Sequence, residues 1–148
     1  MNYANVGNKR FAALIIDVII LSIFQSIITF VVSLAIGGIA SNGETNEETI
    51  VAVASITTIT TIVIIVVNYW LYYAIQESSP KQATIGKQAM GLVVTDMNGE
   101  KISFPKASIR FFGRILSGIL FIGYIMAFFT EKKQALHDML AGTLVLQK

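Results

Sequence analysis

The sequence contains no cysteine, one histidine, two prolines and few charged side chains. Without cysteine the chain cannot form disulfides, a thiolate nucleophile or a cysteine-bound metal site. The single histidine leaves little for a multi-histidine metal site, so we expect no metal and no cofactor. Charged residues make up 14% of the chain, against about 25% in soluble domains. This composition argues against a soluble globule, and a net charge of +2 is too small to suggest nucleic-acid binding.

Long hydrophobic runs account for much of the chain, which is 54% hydrophobic. Two runs are long enough to cross a bilayer, which takes about 20 helical residues. They predict helix one at about residues 11–40 and helix two at about 50–74. A secretory signal is the competing interpretation of the first run, but a signal core spans only about 7–15 residues. An uncleaved membrane helix therefore fits the run better.

The distribution of charge predicts the orientation of these helices. The loop at 41–49 carries Glu44, Glu47 and Glu48, and all eleven Lys and Arg residues lie elsewhere. Positively charged loops stay in the cytoplasm. We therefore expect the 41–49 loop outside, the N-terminus in the cytoplasm and a basic cytoplasmic region at 75–106.

A small β-element is predicted inside the basic region. Residues 91–95 and 101–104 flank a segment containing Asn98-Gly99, a pair that favours tight turns. We interpret this as a β-hairpin, because Asp96, Asn98 and Glu100 lack the further ligands of a calcium loop. Residues 143–146 are strand-like and could complete the same sheet.

The third apolar region, at about 107–130, leaves two alternatives open. A full crossing would place Lys132 and Lys133 outside, against the charge bias. A re-entrant hairpin would keep the C-terminal helix and strand, at 131–148, in the cytoplasm. The predicted fold is thus a single membrane domain over 1–148. It is an all-α bundle with two transmembrane helices, a third membrane-embedded segment and a small cytoplasmic β-element.

Asp17 is the most informative single residue, because it lies within the first apolar run. A carboxylate at mid-membrane costs about 2.5–3.5 kcal/mol on insertion scales and normally faces a partner. Arg110 and Arg114 share one helix face and are the expected partners. Asp17 is either a titrating carboxylate in an ion path or part of a structural ion pair.

Other polar residues suggest packing more than chemistry. Small or amide side chains recur at helical spacing in both long helices and predict helix packing: Ser22, Gln25, Ser26, Thr29, Ser33, Thr57, Thr61 and Asn68. His137 and Asp138 are adjacent, but no nucleophile, phosphate loop or zinc-binding pair accompanies them. We therefore expect that the protein is not an enzyme.

Several of these residues resemble the RDD family of bacterial membrane proteins, which is named for an arginine and two aspartates. Arg10 and Asp17 match the first pair and Asp138 matches the second aspartate. The family's central block is similar to residues 82–114, with its motif at Thr84, Gly86, Lys87, Gly91 and Arg110. The resemblance implies an inner-membrane protein, usually described with three membrane helices. It also suggests that Arg10, Asp17 and Asp138 belong to one cytoplasmic-side cluster.

The resemblance implies two kinds of function. Some family members are associated with sodium/proton antiport, and others with regulation of a membrane partner such as a signal-peptide peptidase. We expect a non-enzymatic partner or regulator of another membrane protein. The alternative is an oligomeric cation/proton exchanger that uses Asp17. The expected partners are the lipid bilayer and either further copies of the chain or another membrane protein, with no nucleic acid.

Overall fold

The computed structural model describes residues 6–40, 46–119, 130 and 134–148. The chain forms two compact units. One contains Met1–Val18 and Trp70–Lys148, and the other contains Ile19–Tyr69. The residues that surround Asp17 all belong to the first unit.

Two long helices dominate the chain: α1 (Val6–Ala40) and α2 (Glu47–Glu77). At 1.5 Å per residue they are about 52 and 46 Å long, which exceeds the bilayer's hydrocarbon core of about 30 Å. Both are apolar and long enough to cross a membrane, as the sequence predicted. α1 begins five residues earlier than predicted, and α2 extends three residues further at each end. The earlier start of α2 has a local cause, because Asn46 caps the helix by accepting hydrogen bonds from the backbone and hydroxyl of Thr49.

The second unit contains the C-terminal part of α1 and the N-terminal part of α2. Its half-buried residues recur every three or four positions, the spacing of one helix face; they include Gln25, Ile28 and Val32 on α1 and Thr57, Thr61 and Asn68 on α2. The remaining surface exposes large apolar side chains, among them Ile27, Phe30, Ile59 and Ile62. A surface of this kind suits contact with lipid better than contact with water.

The first unit contains a two-stranded antiparallel sheet. β1 (Leu92–Asp96) pairs with β2 (Thr143–Gln147), with Leu92 opposite Gln147 and Asp96 opposite Thr143. The predicted C-terminal strand therefore forms. The predicted second hairpin strand at 101–104 does not, because Lys101 makes only one bridge to Thr95 and Phe104 already begins a helix. The intervening turn is held by Asp96, whose side chain accepts hydrogen bonds from the backbone of Asn98 and Glu100.

Three further helices complete the described part of the first unit: α3 (Ile85–Ala89), α4 (Phe104–Ile119) and α5 (Leu136–Leu140). Pro105 lies in the first turn of α4, where its missing N–H costs no helical hydrogen bond. The predicted membrane segment at 107–130 is described only as far as Ile119. Residues 120–129 lie outside the described residues, and a third membrane segment is not shown.

One apolar core holds the first unit together. It combines the beginning of α1, the end of α2, both strands and the beginning of α4, through Val6, Ala13, Ala74, Leu92, Val94, Ile102, Ala107 and Val145. Trp70 packs against this core and donates a hydrogen bond to Ser108 on α4 at 2.9 Å. The core thereby brings charged residues from five helices close together.

Candidate functional site

Asp17 is fully buried and is held by neutral donors. Its Oδ1 accepts hydrogen bonds from the Tyr72 hydroxyl at 2.7 Å and from the Gly86 backbone at 2.8 Å. Its Oδ2 accepts one from the Thr84 hydroxyl at 2.6 Å. These contacts tie α1 to the end of α2 and to the beginning of α3.

Two residues of the predicted motif, Thr84 and Gly86, make this contact at the beginning of α3. Thr84 is the N-cap of α3, and its hydroxyl accepts a hydrogen bond from the Lys87 backbone while donating to Asp17. Gly86 approaches α1 so closely that a Cβ atom there would lie 2.1 Å from the Ala13 carbonyl oxygen. Only glycine fits at this position.

The predicted pairing of Asp17 with Arg110 or Arg114 does not form. Both arginines instead contact Glu77, at the end of α2. The structural ion pair between Asp17 and an arginine is therefore not formed, whereas a role of Asp17 in an ion path stays a prediction. A second acid competes for the arginines, and Asp17 obtains its stabilisation from hydroxyl and amide donors.

Glu77 is the centre of a first group of charges. Its carboxylate pairs with Lys87 of α3, with Arg110 Nε at 3.4 Å and with Arg114 Nη2 at 3.3 Å. Only 1% of the Glu77 side chain is exposed. Sequence reasoning missed this residue, although one signal was available: Glu77 is the only acidic residue between Glu48 and Asp96.

Asp138 is the centre of a second group. Its Oδ2 lies 2.5 Å from Arg10 Nη2, and its Oδ1 lies 2.7 Å from Arg110 Nη2. Oδ2 also accepts a hydrogen bond from the Ala135 backbone, which caps α5. Arg110 therefore contacts both acids, and it links α4 to α2 on one side and to α5 on the other.

His137 and Tyr73 fill the space around these charges. His137 Nε2 lies 3.4 Å from Arg10 Nη2 and 3.4 Å from Asp138 Oδ1. A Cβ atom on Gly113 would lie 3.3 Å from His137, so the glycine lets α4 and α5 pack closely. The Arg114 guanidinium lies 4.0 Å from the centre of the Tyr73 ring, a favourable cation–π distance.

The pKa values of the cluster depend on burial and on the neighbouring charges. Burial by itself raises the pKa of Asp138, but Arg10 and Arg110 outweigh this effect and hold the pKa well below its usual range. Burial lowers the pKa of His137 despite the neighbouring Asp138, so its imidazole is neutral at pH 7. Burial also lowers the pKa of Lys87, to about 7; the attraction of Glu77 opposes this shift, and the charges of Arg110 and Arg114 reinforce it.

A cavity of about 110 Å³ lies beside the cluster. Its charged lining comes from Arg10, Asp17, Lys87, Arg110 and Arg114, and its apolar lining includes Phe11, Leu14 and Tyr73. One water molecule needs about 10–15 Å³ of cavity volume of this kind. The cavity therefore has room for several waters or for one small polar group.

The other predicted residues are Gly91, which lies in the first unit, and the predicted packing residues, which all lie in the second unit. Gly91 has a φ of +66° and precedes β1, where its carbonyl accepts a hydrogen bond from Lys148. Of the predicted packing residues, Gln25, Thr57, Thr61 and Asn68 are half-buried. The others are exposed: Ser22, Ser26, Thr29 and Ser33. The hydroxyls of Ser26 and Ser33 donate to carbonyls of their own helix, as serine does in apolar surroundings.

Comparison with known proteins confirms the family that the sequence motifs predicted. The model of the RDD family matches residues 3–142. The chain belongs to the RDD family. A relative from Bacillus subtilis (strain 168), the uncharacterized protein YxaI, is 40% identical over 143 residues, which are 94% of each chain. No solved structure matches the chain.

The residues that carried the family resemblance lie in or next to the charged cluster. The arginine and two aspartates that carried the resemblance are Arg10, Asp17 and Asp138, and all three lie in the first unit. Arg10 and Asp138 form an ion pair, whereas Asp17 lies in the hydrogen-bonded group next to them. RDD membership and two apolar helices fit an integral membrane protein.

Proposed function

We propose that this RDD protein is a non-enzymatic integral membrane protein that binds and regulates another membrane protein. One observation carries the proposal. The carboxylates buried in the described part of the chain, Asp17, Glu77 and Asp138, are all engaged by donors from the protein itself. A cation/proton exchanger needs a carboxylate that alternately binds an ion and a proton. Three carboxylates fixed in this way suit a rigid binding module better.

The exposed serine stripe of α1 supports a partner role. Ser22, Ser26, Thr29 and Ser33 share one helix face at four- and three-residue spacing, and all four are exposed. Association in lipid is driven by close packing of small residues and by hydrogen bonds between helices. We infer that this face receives a helix of the partner.

The proposed setting is the bacterial inner membrane, with several passes and with the N-terminus in the cytoplasm. The absence of basic residues from 41–49 and the six basic residues between Lys81 and Arg114 support this orientation. The buried cluster then lies at the cytoplasmic end of the two spans.

Cross-linking in native membranes tests the partner role. Because the chain contains no cysteine, a thiol-reactive cross-linker attaches to it only at the cysteine that is introduced. A thiol-reactive cross-linker is applied to Ser26→Cys, with Ile27→Cys as the matched control, because the next residue points about 100° away on the helix. We expect Ser26→Cys alone to give an adduct with one membrane protein. The same protein must co-purify with the uncross-linked chain at fixed stoichiometry. Adducts that contain only further copies of this chain, or identical adducts from both positions, would overturn the proposal.

Exchange by several copies is the alternative to the partner role, since Asp17 is buried and lines the cavity. Four basic side chains line the same cavity, and their charges oppose the entry of Na⁺. We therefore expect no sodium-driven proton movement from purified protein in vesicles. Exchange by the wild type that is lost in a folded Asp17→Asn variant would favour the exchanger instead.

A further inference from the structure

Basic side chains outnumber acidic ones around the cavity. Four basic side chains belong to the cluster, from Arg10, Lys87, Arg110 and Arg114, against three acids, Asp17, Glu77 and Asp138. His137 contributes no charge when its imidazole is neutral. All four basic residues line the cavity, but Asp17 is the only acid that does so among the described residues. The cavity wall is therefore more positive than the cluster as a whole.

Arg110 provides a second, independent observation. Its side chain is completely buried, with Nε near Glu77 and Nη2 near Asp138. Its Nη1 has no hydrogen-bond partner among the residues that the structure describes. A buried N–H group without an acceptor costs roughly 1–3 kcal/mol, and more when it is charged. Arg110 lines the cavity, so an acceptor there could satisfy this donor.

We propose that the cavity binds an oxyanion of the phosphate class. Guanidinium groups match the geometry of phosphate oxygens and can donate two parallel hydrogen bonds to them. Arg10, Arg110 and Arg114 supply three such groups at one site, and Lys87 adds a fourth charge when its amine is protonated. The cavity volume of about 110 Å³ accommodates one phosphate group with a few waters.

The surroundings allow two sources for the phosphate group. Phe11 and Leu14 form an apolar part of the lining, and Phe11 is 62% exposed. An acyl chain could lie along these side chains while its headgroup entered the cavity, and anionic headgroups are attracted by basic clusters at the membrane surface. Free inorganic phosphate would use the same four basic groups. The inference goes beyond the proposed partner role and does not depend on it.

The experiment measures ligand-induced stabilisation of the full-length protein in a nonionic detergent without phosphate. One arm titrates inorganic phosphate against chloride at constant ionic strength. The other arm titrates short-chain phosphatidylglycerol against short-chain phosphatidylcholine. A ligand that binds the folded state raises the melting temperature in a saturable way. A response to phosphate alone assigns the free ion, whereas a response to phosphatidylglycerol assigns the headgroup.

Two variants test whether the ligand that stabilises the protein binds in the cavity. Arg114→Gln removes a cavity charge but leaves Glu77 with Lys87 and Arg110, so the protein should still fold. Lys106→Gln removes an exposed charge from the same helix and is the matched control. We expect at least tenfold weaker binding to Arg114→Gln and unchanged binding to Lys106→Gln.

No saturable response to either ligand in the wild type would overturn the proposal, as would equal binding by Arg114→Gln and the wild type. If Arg114→Gln does not fold, Lys87→Gln replaces it with the same expectation. Comparison of Arg114→Gln with Lys106→Gln shows whether the loss is specific, because a nonspecific effect of net charge would weaken binding to both variants to the same extent.

Discussion

At the scale of single residues, the three buried acids are stabilised in two different ways. Asp17 accepts hydrogen bonds from Tyr72, Thr84 and Gly86, whereas Glu77 and Asp138 pair with lysine and arginine. Sequence reasoning identified Asp17 as a buried residue that needs a partner, because a carboxylate in an apolar run is costly. The predicted arginine partners were wrong, because the pattern of charged residues in a sequence does not reveal hydroxyl and backbone hydrogen-bond donors.

Gly86→Ala tests the close approach of α3 to α1. The added Cβ would lie 2.1 Å from the Ala13 carbonyl oxygen and 2.9 Å from the Asp17 carboxylate, so the two helices must separate. We expect a loss of roughly 2–4 kcal/mol in the free energy of unfolding, as for severe overpacking combined with lost hydrogen bonds. Thermal unfolding in detergent measures it.

Gly37→Ala is the matched control for this substitution. Gly37 is also helical, but a Cβ atom there would have no neighbour within 4 Å. We expect it to be neutral or to stabilise the helix by up to about 1 kcal/mol. A Gly86→Ala variant as stable as Gly37→Ala would show that the Asp17 contact is not tight.

The lowered pKa of Lys87 predicts that the stability of the protein depends on pH. Its pKa in the folded protein is about 7, whereas an unfolded lysine titrates near 10.4. Between these values the unfolded chain binds more protons, so the free energy of unfolding rises with pH as far as this group contributes. The stability of the wild type relative to Lys87→Met should therefore increase from pH 7 to pH 10.

Melting temperatures of the wild type and Lys87→Met, measured across this pH range, check the expectation. Lys81→Met is the control, because Lys81 is exposed and its removal should leave the slope with pH unchanged. A difference between the wild type and Lys87→Met that stays constant with pH would contradict the expectation.

At the scale of elements, α4 organises the site. Arg110 contacts Glu77 of α2 and Asp138 of α5 from one position on this helix. The outer face of α4 exposes Ile109, Phe112, Ile115 and Leu116, whereas its two arginines, Arg110 and Arg114, face the cluster. The sequence predicted an apolar segment here, but periodicity does not tell which acids the buried arginine meets.

Arg110→Met tests this role of α4. The substitution leaves Asp138 with Arg10 and Glu77 with Lys87 and Arg114, and it removes the link between the two groups. Because it removes one partner from buried ion pairs, we expect a loss of about 3–5 kcal/mol in the free energy of unfolding. Lys106→Met on the same helix should change it by no more than about 0.5 kcal/mol. Equal melting temperatures for the two variants would exclude the organising role.

At the scale of the whole molecule, topology decides where the cluster and cavity lie. The two membrane crossings that we propose would return the chain to the side on which it began. Single cysteines at Asn8, Asn46 and Lys148 test this in the cysteine-free chain, by labelling with a membrane-impermeant thiol reagent. We expect cysteines at residues 8 and 148 to be labelled only from the cytoplasmic side and a cysteine at 46 only from outside. Labelling of residue 148 from outside would show that the third apolar region crosses the membrane.

The sequence by itself determined the class of protein, the two long helices, the C-terminal strand and the family. These follow from properties that accumulate along the chain: hydropathy over about 20 residues, charge bias between loops, and motif residues at fixed spacing. Only the tertiary structure decided which charges meet. Glu77, Lys87 and Arg110 come from three different helices, and β1 pairs with a strand some 50 residues away rather than with the nearby segment at 101–104. Such pairings depend on how one core packs the helix ends together, and no local pattern encodes that choice.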